Sequence, residues 1–196
     1  MIKTVLADRM TNVRTLANAG STEHMAIVAL VDTDYATMTQ IVSPLAKSAN
    51  SVAANLASNA ATAFTISASP VTPRNLRVTF AALWDGGNVV VVGTDQFGQA
   101  ATETFTSAPG TVVVGTKIFA TVASATKTAV GATANAASIG TGDKLGLPAK
   151  PTLAYGFVGD STPTAAAVAT MDTTYGGFTP ANVPNGTLTY TVMFTI

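Results

Sequence analysis

The residues best suited to chemistry are few, and the first group is the glycine-rich run Gly140-Thr-Gly-Asp143. Glycine-rich turns bind phosphate through backbone amides when a strand precedes them and a helix begins directly after them. This run lacks the GxxxxGK[ST] spacing of that motif, and no helix pattern follows it. The run is therefore interpreted as a turn.

Acidic residues and the single histidine are the next candidates. Asp32 and Asp34 have the Asp-x-Asp spacing of a Ca²⁺ loop, but neither the glycine nor the closing glutamate of such a loop follows them. His24 adjoins Glu23, yet side chains of consecutive residues seldom face each other, so a catalytic arrangement would need partners fixed elsewhere by the fold. A solvated break after a strand and a surface or interface histidine are the expected roles.

Asp95 and Glu103 offer the pair of carboxyl groups that a glycoside hydrolase uses, provided that folding brings them to a separation of about 5–9 Å. A place on the polar face of its strand is the simpler expectation for Glu103. Asn185-Gly-Thr187 matches a glycosylation sequon, and a tight turn accounts equally for the same residues.

Four aromatic residues, Trp84, Tyr155, Tyr175 and Tyr190, could together form a platform for carbohydrate. They are scattered among strands and loops, so positions in the core and at its rim are expected. No catalytic, cofactor-binding or metal-ligating residue is therefore predicted. The chain is predicted to need no cofactor and not to be an enzyme.

The composition favours an assembly component. Ten basic and ten acidic residues cancel, which argues against binding to nucleic acid or to an anionic membrane. Only 10% of the 196 residues are charged, and a surface poor in charge tends to self-associate unless neighbours cover it. The chain has no cysteine, and its charged start does not resemble a signal peptide, so assembly in the cytoplasm is expected.

The elements that must position these residues are short strands, and they are clearest between residues 75 and 123. Alternating or β-branched segments are separated there by turn residues roughly every 8–12 positions. The segments cover residues 75–82, 88–94, 100–106, 111–116 and 117–123. The valines of residues 88–94 indicate either a strand buried on both faces or one strand of a tightly packed sandwich. The sequence predicts a mainly-β fold, an antiparallel β-sandwich or a partly open barrel.

The first 70 residues show a different pattern. Residues 1–24 have no sustained period and predict an extended arm, with a short helix over residues 5–16 as the alternative. Residues 45–63 are the best helix candidate because they are rich in alanine and place apolar residues on one face. Their recurring serine and asparagine residues weaken helix propensity, so an irregular segment supported by neighbours is the alternative. Two prolines within residues 69–73 mark a connector. The predicted division is an N-terminal arm and contacting region over residues 1–70 and a β-sandwich domain over residues 71–196.

The C-terminal part predicts more strands and one long loop. Glycines interrupt residues 138–148, which are interpreted as a loop that inserts Leu145 and Leu147 into the core. Residues 153–158 and 187–195 are predicted strands, the second because it alternates strictly between apolar and polar residues.

Several segments resemble a recurrent β-domain of structural proteins in tailed bacteriophages. They are Val89-Val-Val-Val-Gly-Thr-Asp95, Thr102-Glu-Thr-Phe105, Gly115-Thr-Lys-Ile-Phe119, Ile139-Gly-Thr-Gly-Asp-Lys-Leu-Gly-Leu-Pro148 and the closing run Phe178-Thr-Pro-Ala-Asn-Val-Pro-Asn-Gly-Thr-Leu-Thr-Tyr190. The resemblance covers about the last 125 residues, and its motifs are more specific for a virion protein than for one role in the particle.

The resemblance implies a non-enzymatic virion protein, and a capsid decoration (cement) protein in particular. The expected partners are the major capsid protein and other copies of the chain, with neither nucleic acid nor membrane, and the expected location is the capsid surface. A head–tail connector or tail-tube subunit is the alternative within the particle. A glycan- or receptor-binding β-module is the alternative outside these roles.

Overall fold

The computed structural model describes residues 14–17, 24–27, 36–161 and 167–196, and every helix or strand in those ranges is a β-strand. The strands are β1 (Arg14–Ala17), β2 (His24–Ile27), β3 (Ala36–Ile41), β4 (Ser48–Ala57), β5 (Arg74–Phe80), β6 (Val89–Thr94), β7 (Ala100–Phe105), β8 (Val112–Phe119), β9 (Thr121–Lys127), β10 (Ala136–Gly146), β11 (Tyr155–Asp160), β12 (Ala167–Asp172), β13 (Gly177–Phe178) and β14 (Tyr190–Thr195). The predicted mainly-β, antiparallel fold is confirmed.

These strands form three antiparallel sheets, none of which closes into a barrel. A nine-stranded sheet has the order β3-β14-β11-β12-β13-β10-β5-β8, with β4 also paired to β10. A three-stranded sheet has the order β7-β6-β9, and β1 pairs with β2 in a separate hairpin. Most of the chain's strands therefore share one extended sheet.

The first core lies between the three-stranded sheet and the part of the large sheet made by β4, β10, β5 and β8. Burial alternates along β6: Val89 and Val91 are buried, whereas Val92 is 39% exposed. The valine run thus fits the sandwich interpretation rather than burial on both faces. The largest side chains in this core are Phe64, Phe80, Trp84, Phe105 and Phe119, with Leu76 and Ile139 beside them.

The second core lies against the other part of the large sheet and is covered by loops. Its buried residues are Leu145, Leu147, Val158, Met171, Phe178, Tyr190, Val192 and Phe194. Ala149 and Leu188 pack against it from the loops before β11 and before β14. The hydroxyl of Tyr190 donates to the carbonyl oxygen of Asn182 at 2.7 Å, which ties one of these loops to the sheet.

Strand β10 joins the two cores, and the loop predicted over residues 138–148 is wrong. A Cβ on Gly140 would overlap the backbone of Ser48, and one on Gly142 would overlap the Asn75 side chain. These glycines therefore permit a close approach of neighbours within a sheet, as glycine in a strand often does. The predicted burial of Leu145 and Leu147 is confirmed.

The helix predicted over residues 45–63 is also wrong, because β4 occupies Ser48–Ala57 and pairs with β10. Val52 and Ala53 enter the first core, while most of the serine and asparagine residues around them stay exposed. Serine and asparagine are weak helix formers, and the pairing offered by β10 outweighs the alanine content.

Two strands of the predicted N-terminal region, residues 1–70, lie in the described part of the large sheet. Strand β3 pairs with β14 and β4 pairs with β10, so both strands belong to the same sheet as the later chain. Most of the predicted arm lies outside the described residues. Within them, Arg14–Ala17 is a strand rather than the end of a helix over residues 5–16.

Candidate functional site

The carboxylates of Asp95 and Glu103 both accept hydrogen bonds from backbone amides. The Asp95 carboxylate accepts hydrogen bonds from the amides of Phe97 and Gln99 within its own turn. One oxygen of Glu103 accepts hydrogen bonds from the amides of Thr116 at 2.7 Å and Lys117 at 3.3 Å. Both carboxylates therefore hold backbone in place, and Glu103 links the edges of β7 and β8.

The four aromatic residues do not form a common platform. Trp84 is 3% exposed and Tyr190 is fully buried, and the indole of Trp84 donates to the carbonyl oxygen of Gly87. Burial raises the pKa of Tyr190 to about 12. Tyr155 is 48% exposed, and Tyr175 is partly buried. The ring faces of Trp84 and Tyr190 are thus unavailable to a sugar.

The remaining candidates are two aspartates, one histidine and the glycine-rich run. Asp32 and Asp34 lie outside the described residues, and His24 lies in β2. Among the residues that the structure describes, no group of three or more His, Cys, Asp or Glu residues is placed to hold a metal ion. Gly140-Thr-Gly-Asp143 lies within β10, so its amides belong to a sheet.

A polar cluster closes one end of the first core. The carboxylate of Asp85 accepts hydrogen bonds from the amides of Ala132 at 2.7 Å and Thr133 at 3.2 Å. A hydrogen bond from the Ser58 hydroxyl, together with those of Ala132 and Thr133, lowers the pKa of Asp85 to about 2. Asp85 therefore fixes the loop after β9.

Lys127 belongs to the same end of the first core. Its ammonium group donates to the carbonyl oxygen of Ser58 and lies 5.8 Å from the centre of the Trp84 ring. Burial lowers the pKa of Lys127, and the charge of Asp85 opposes this shift. With the residue only 3% exposed, this amine supports the fold and is not accessible to a substrate.

A second polar cluster lies where the two cores meet. Lys144 forms an ion pair with Asp172 and donates to the carbonyl oxygen of Thr116 at 2.8 Å. Its ammonium group lies 5.6 Å from the centre of the Tyr175 ring, and that of Lys117 lies 5.9 Å from the same ring. These contacts tie β8, β10 and the turn after β12 together.

The pKa of Asp172 is set by opposing effects within this cluster. Burial alone would raise the pKa of Asp172, but the hydrogen bond from Lys144 and those from the amides of Tyr175 and Thr174 lower it on balance. The carboxylate is thus charged at neutral pH and fully used by its partners, as expected of a structural ion pair.

An open cleft of about 410 Å³ lies beside this junction. Its lining is Gln40, Ile41, Val42, Thr72, Pro73, Gln96, Gly146, Leu147 and Pro148. The Gln96 side chain donates to the carbonyl oxygens of Tyr175 and Gly176, both at 2.8 Å. The oxygen of the Gln96 amide is buried and has no hydrogen-bond partner among the described residues.

Residues 42–47 form a segment, the strap, that borders this cleft. Val42 is 67% exposed and Leu45 is 58% exposed, which is unusual for large apolar side chains so close together. Ser43 has a φ of 45°, the one positive value found for a non-glycine residue in the described chain. Positive φ is costly for a residue with a side chain, and such conformations often mark functional segments.

The strap covers a buried arginine. Arg74 is 2% exposed and donates from Nη1 to the carbonyl oxygen of Leu45 at 2.6 Å. Its Nε and Nη2 atoms have no partner among the described residues, and its pKa is lowered by burial against the opposing charge of Asp143. Lys47 also contacts Asp143, at 2.8 Å. The strap is thus held by polar contacts while it presents apolar side chains outward.

Comparison of the chain with protein-family models, curated proteins and solved structures finds no match. No helix in the described ranges is long and apolar enough to cross a membrane. The surface around β3 and the strap was not identified by sequence reasoning. The available signal was the absence of any charged residue from Tyr35 to Ala46.

Proposed function

We propose that this chain is a non-enzymatic structural protein of a tailed-phage virion, and specifically a capsid decoration protein. In this role it binds the outside of the assembled head and stabilises it. The observation that carries the proposal is a surface with many exposed apolar side chains on a chain that has few charges. Those most exposed are Val71, Val42, Leu83, Val130, Leu45 and Val114.

A surface of this kind favours a protein that works while covered by neighbours. Single exposed apolar residues are ordinary, but a low content of charge removes the usual protection against association. The two described cores are formed by other residues, so these exposed groups do not belong to either core. The major capsid protein and further copies of the chain are the proposed partners.

Stabilisation of the head follows from mass action. A protein that binds only the assembled lattice lowers the free energy of that lattice and leaves its dissociated subunits unchanged. A β-domain whose charged groups are largely engaged in internal contacts suits this passive role. The resemblance to phage virion proteins supports the identity of the lattice as a capsid.

The test is to mix the purified protein with expanded heads that lack it, count the bound copies and follow the melting of the heads. Saturable binding at a fixed ratio to the major capsid protein, with a raised melting temperature, is the expected result. Rings or tubes formed by the protein alone, without binding to heads, would replace the proposal with a connector or tail-tube role. Binding to a glycan array, lost in a Tyr155→Ala variant, would indicate a glycan-binding module instead.

A further inference from the structure

Sheet edges attract other chains because their backbone groups are unpaired, and most edges of this β-domain are protected. At β8, the Glu103 carboxylate binds the amides of Thr116 and Lys117. At β9, main-chain hydrogen bonds are formed with Thr62 and Phe64. At β4, the amide of Ser67 donates to the carbonyl oxygen of Val52. Each of these edges is therefore occupied by other parts of the same chain.

Strand β3 is different. It pairs with β14 along all six of its residues without a register shift, and no described strand lies on its other side. The strand has no lysine, proline or bulge, the features that natural proteins use to keep an edge from pairing. Met38 is 51% exposed on this strand, and the exposed Val42 and Leu45 of the strap follow directly. The surface is thus an uncharged edge next to exposed apolar side chains.

We propose that β3 pairs with β3 of a second copy of this chain, antiparallel and about a twofold axis. Residues 35–46 contain no charge that could recognise a charged partner. The same segment on a second copy brings only uncharged residues, so no unpaired charge is buried between the copies. Twofold pairing is also the commonest symmetry for identical chains.

The first test measures the mass of the full chain in solution by light scattering over a range of concentrations, with two matched lysine variants. Met38→Lys places a charge on the β3 edge, and Val114→Lys places one on β8 at the opposite end of the same sheet. Both side chains are about half exposed, at 51% and 58%, so both variants should fold. Met38→Lys is expected to weaken dimerisation at least tenfold, and Val114→Lys to leave it unchanged. Gln40→Lys repeats the test if Met38→Lys has a lowered melting temperature.

The second test uses spin labels on single cysteines, which the chain's lack of cysteine makes straightforward. Labels at residue 40 are expected within about 25 Å of each other, because adjacent strands are about 4.8 Å apart. Labels at residue 114 are expected more than about 50 Å apart, because seven strand spacings separate β3 from β8 in each copy.

A monomer at every concentration would overturn the proposal, as would a dimer that Met38→Lys and Gln40→Lys leave intact. A dimer with long distances at residue 40 would place the contact on another surface and overturn it as well. These experiments use no capsids. The pairing of β3 therefore stands or falls separately from the proposed decoration role.

Discussion

The two cores of the molecule share one strand and differ in how they are enclosed. The first core lies between two sheets, and its edges are closed by Glu103 on one side and by residues 62–66 on the other. The second core lies under one sheet and is covered by the loops that contain Ala149 and Leu188. Its outermost strand, β3, has no described neighbour beyond it.

The two cores therefore differ in whether they leave backbone groups that a partner chain could bind. A closed sandwich satisfies its backbone internally and gains little from a partner. A sheet with one open, uncharged edge keeps backbone groups that a partner can satisfy. The edge available for the proposed pairing of β3 therefore belongs to the second core, whereas exposed apolar side chains such as Leu83 and Val114 lie beside the first.

The strand shared by both cores gives the largest expected effect. Gly140→Ala is expected to lower the free energy of unfolding by about 3 kcal/mol or more, because the added Cβ would collide with the backbone of Ser48. Chemical denaturation measures this loss. Gly98→Ala is the control, since no atom lies within 4 Å and only its φ of 76° opposes alanine, at a cost of about 1 kcal/mol. Similar losses in the two variants would contradict the close packing of β10.

The ion pair at the junction of the cores should matter more than the one on the strap. Lys144→Ala leaves the partly buried Asp172 without its partner and is expected to cost about 2 kcal/mol. Lys47→Ala removes a pair in which the lysine is 49% exposed, and its cost should stay below about 1 kcal/mol. Thermal melts of both variants compare these losses. An equal or larger loss for Lys47→Ala would indicate that the junction does not couple the two cores.

The smallest effect concerns pH and the closed end of the first core. The pKa of Asp85 is about 2 in the folded chain, below its ordinary value of 3.8. A lowered pKa gives stability that is present above pH 3.8 and is lost as the pH falls through about 2. The melting temperature of the parent chain should thus exceed that of Asp85→Asn at pH 7, and the difference should shrink towards pH 2. A difference that does not change with pH would mean that Asp85 makes no charge-dependent contact.

How much the sequence could predict also differs between the two cores. Strands β5 to β7 follow one another along the chain, and turns at Gly87 and Gly98 with positive φ separate them, so local patterns were sufficient. The pairing of β3 with β14 joins residues about 150 positions apart, and no local pattern carries that information. Strand β10 was interpreted as a loop because glycine that admits a close neighbour looks the same in sequence as glycine that forms a turn.

Local sequence patterns also failed to predict the contacts at the candidate site. Sequence reasoning found the residues whose types suggest chemistry, but the contacts of Asp95, Glu103 and Trp84 depend on partners brought in by the fold. The edge of β3, which has no neighbour among the described strands, could be recognised only once the neighbours of β4, β8 and β9 were known. Its absence of charge was visible in the sequence, and its position at the end of the sheet was not.

The most direct test of β3 and the strap as the surface of association is hydrogen exchange. It is measured on the dilute protein and on the protein bound to expanded heads. Backbone amides of residues 36–47 are expected to exchange more slowly in the bound protein, while those of β8 keep their rates. Unchanged exchange over residues 36–47, with new protection on the outer face of the three-stranded sheet, would contradict the account.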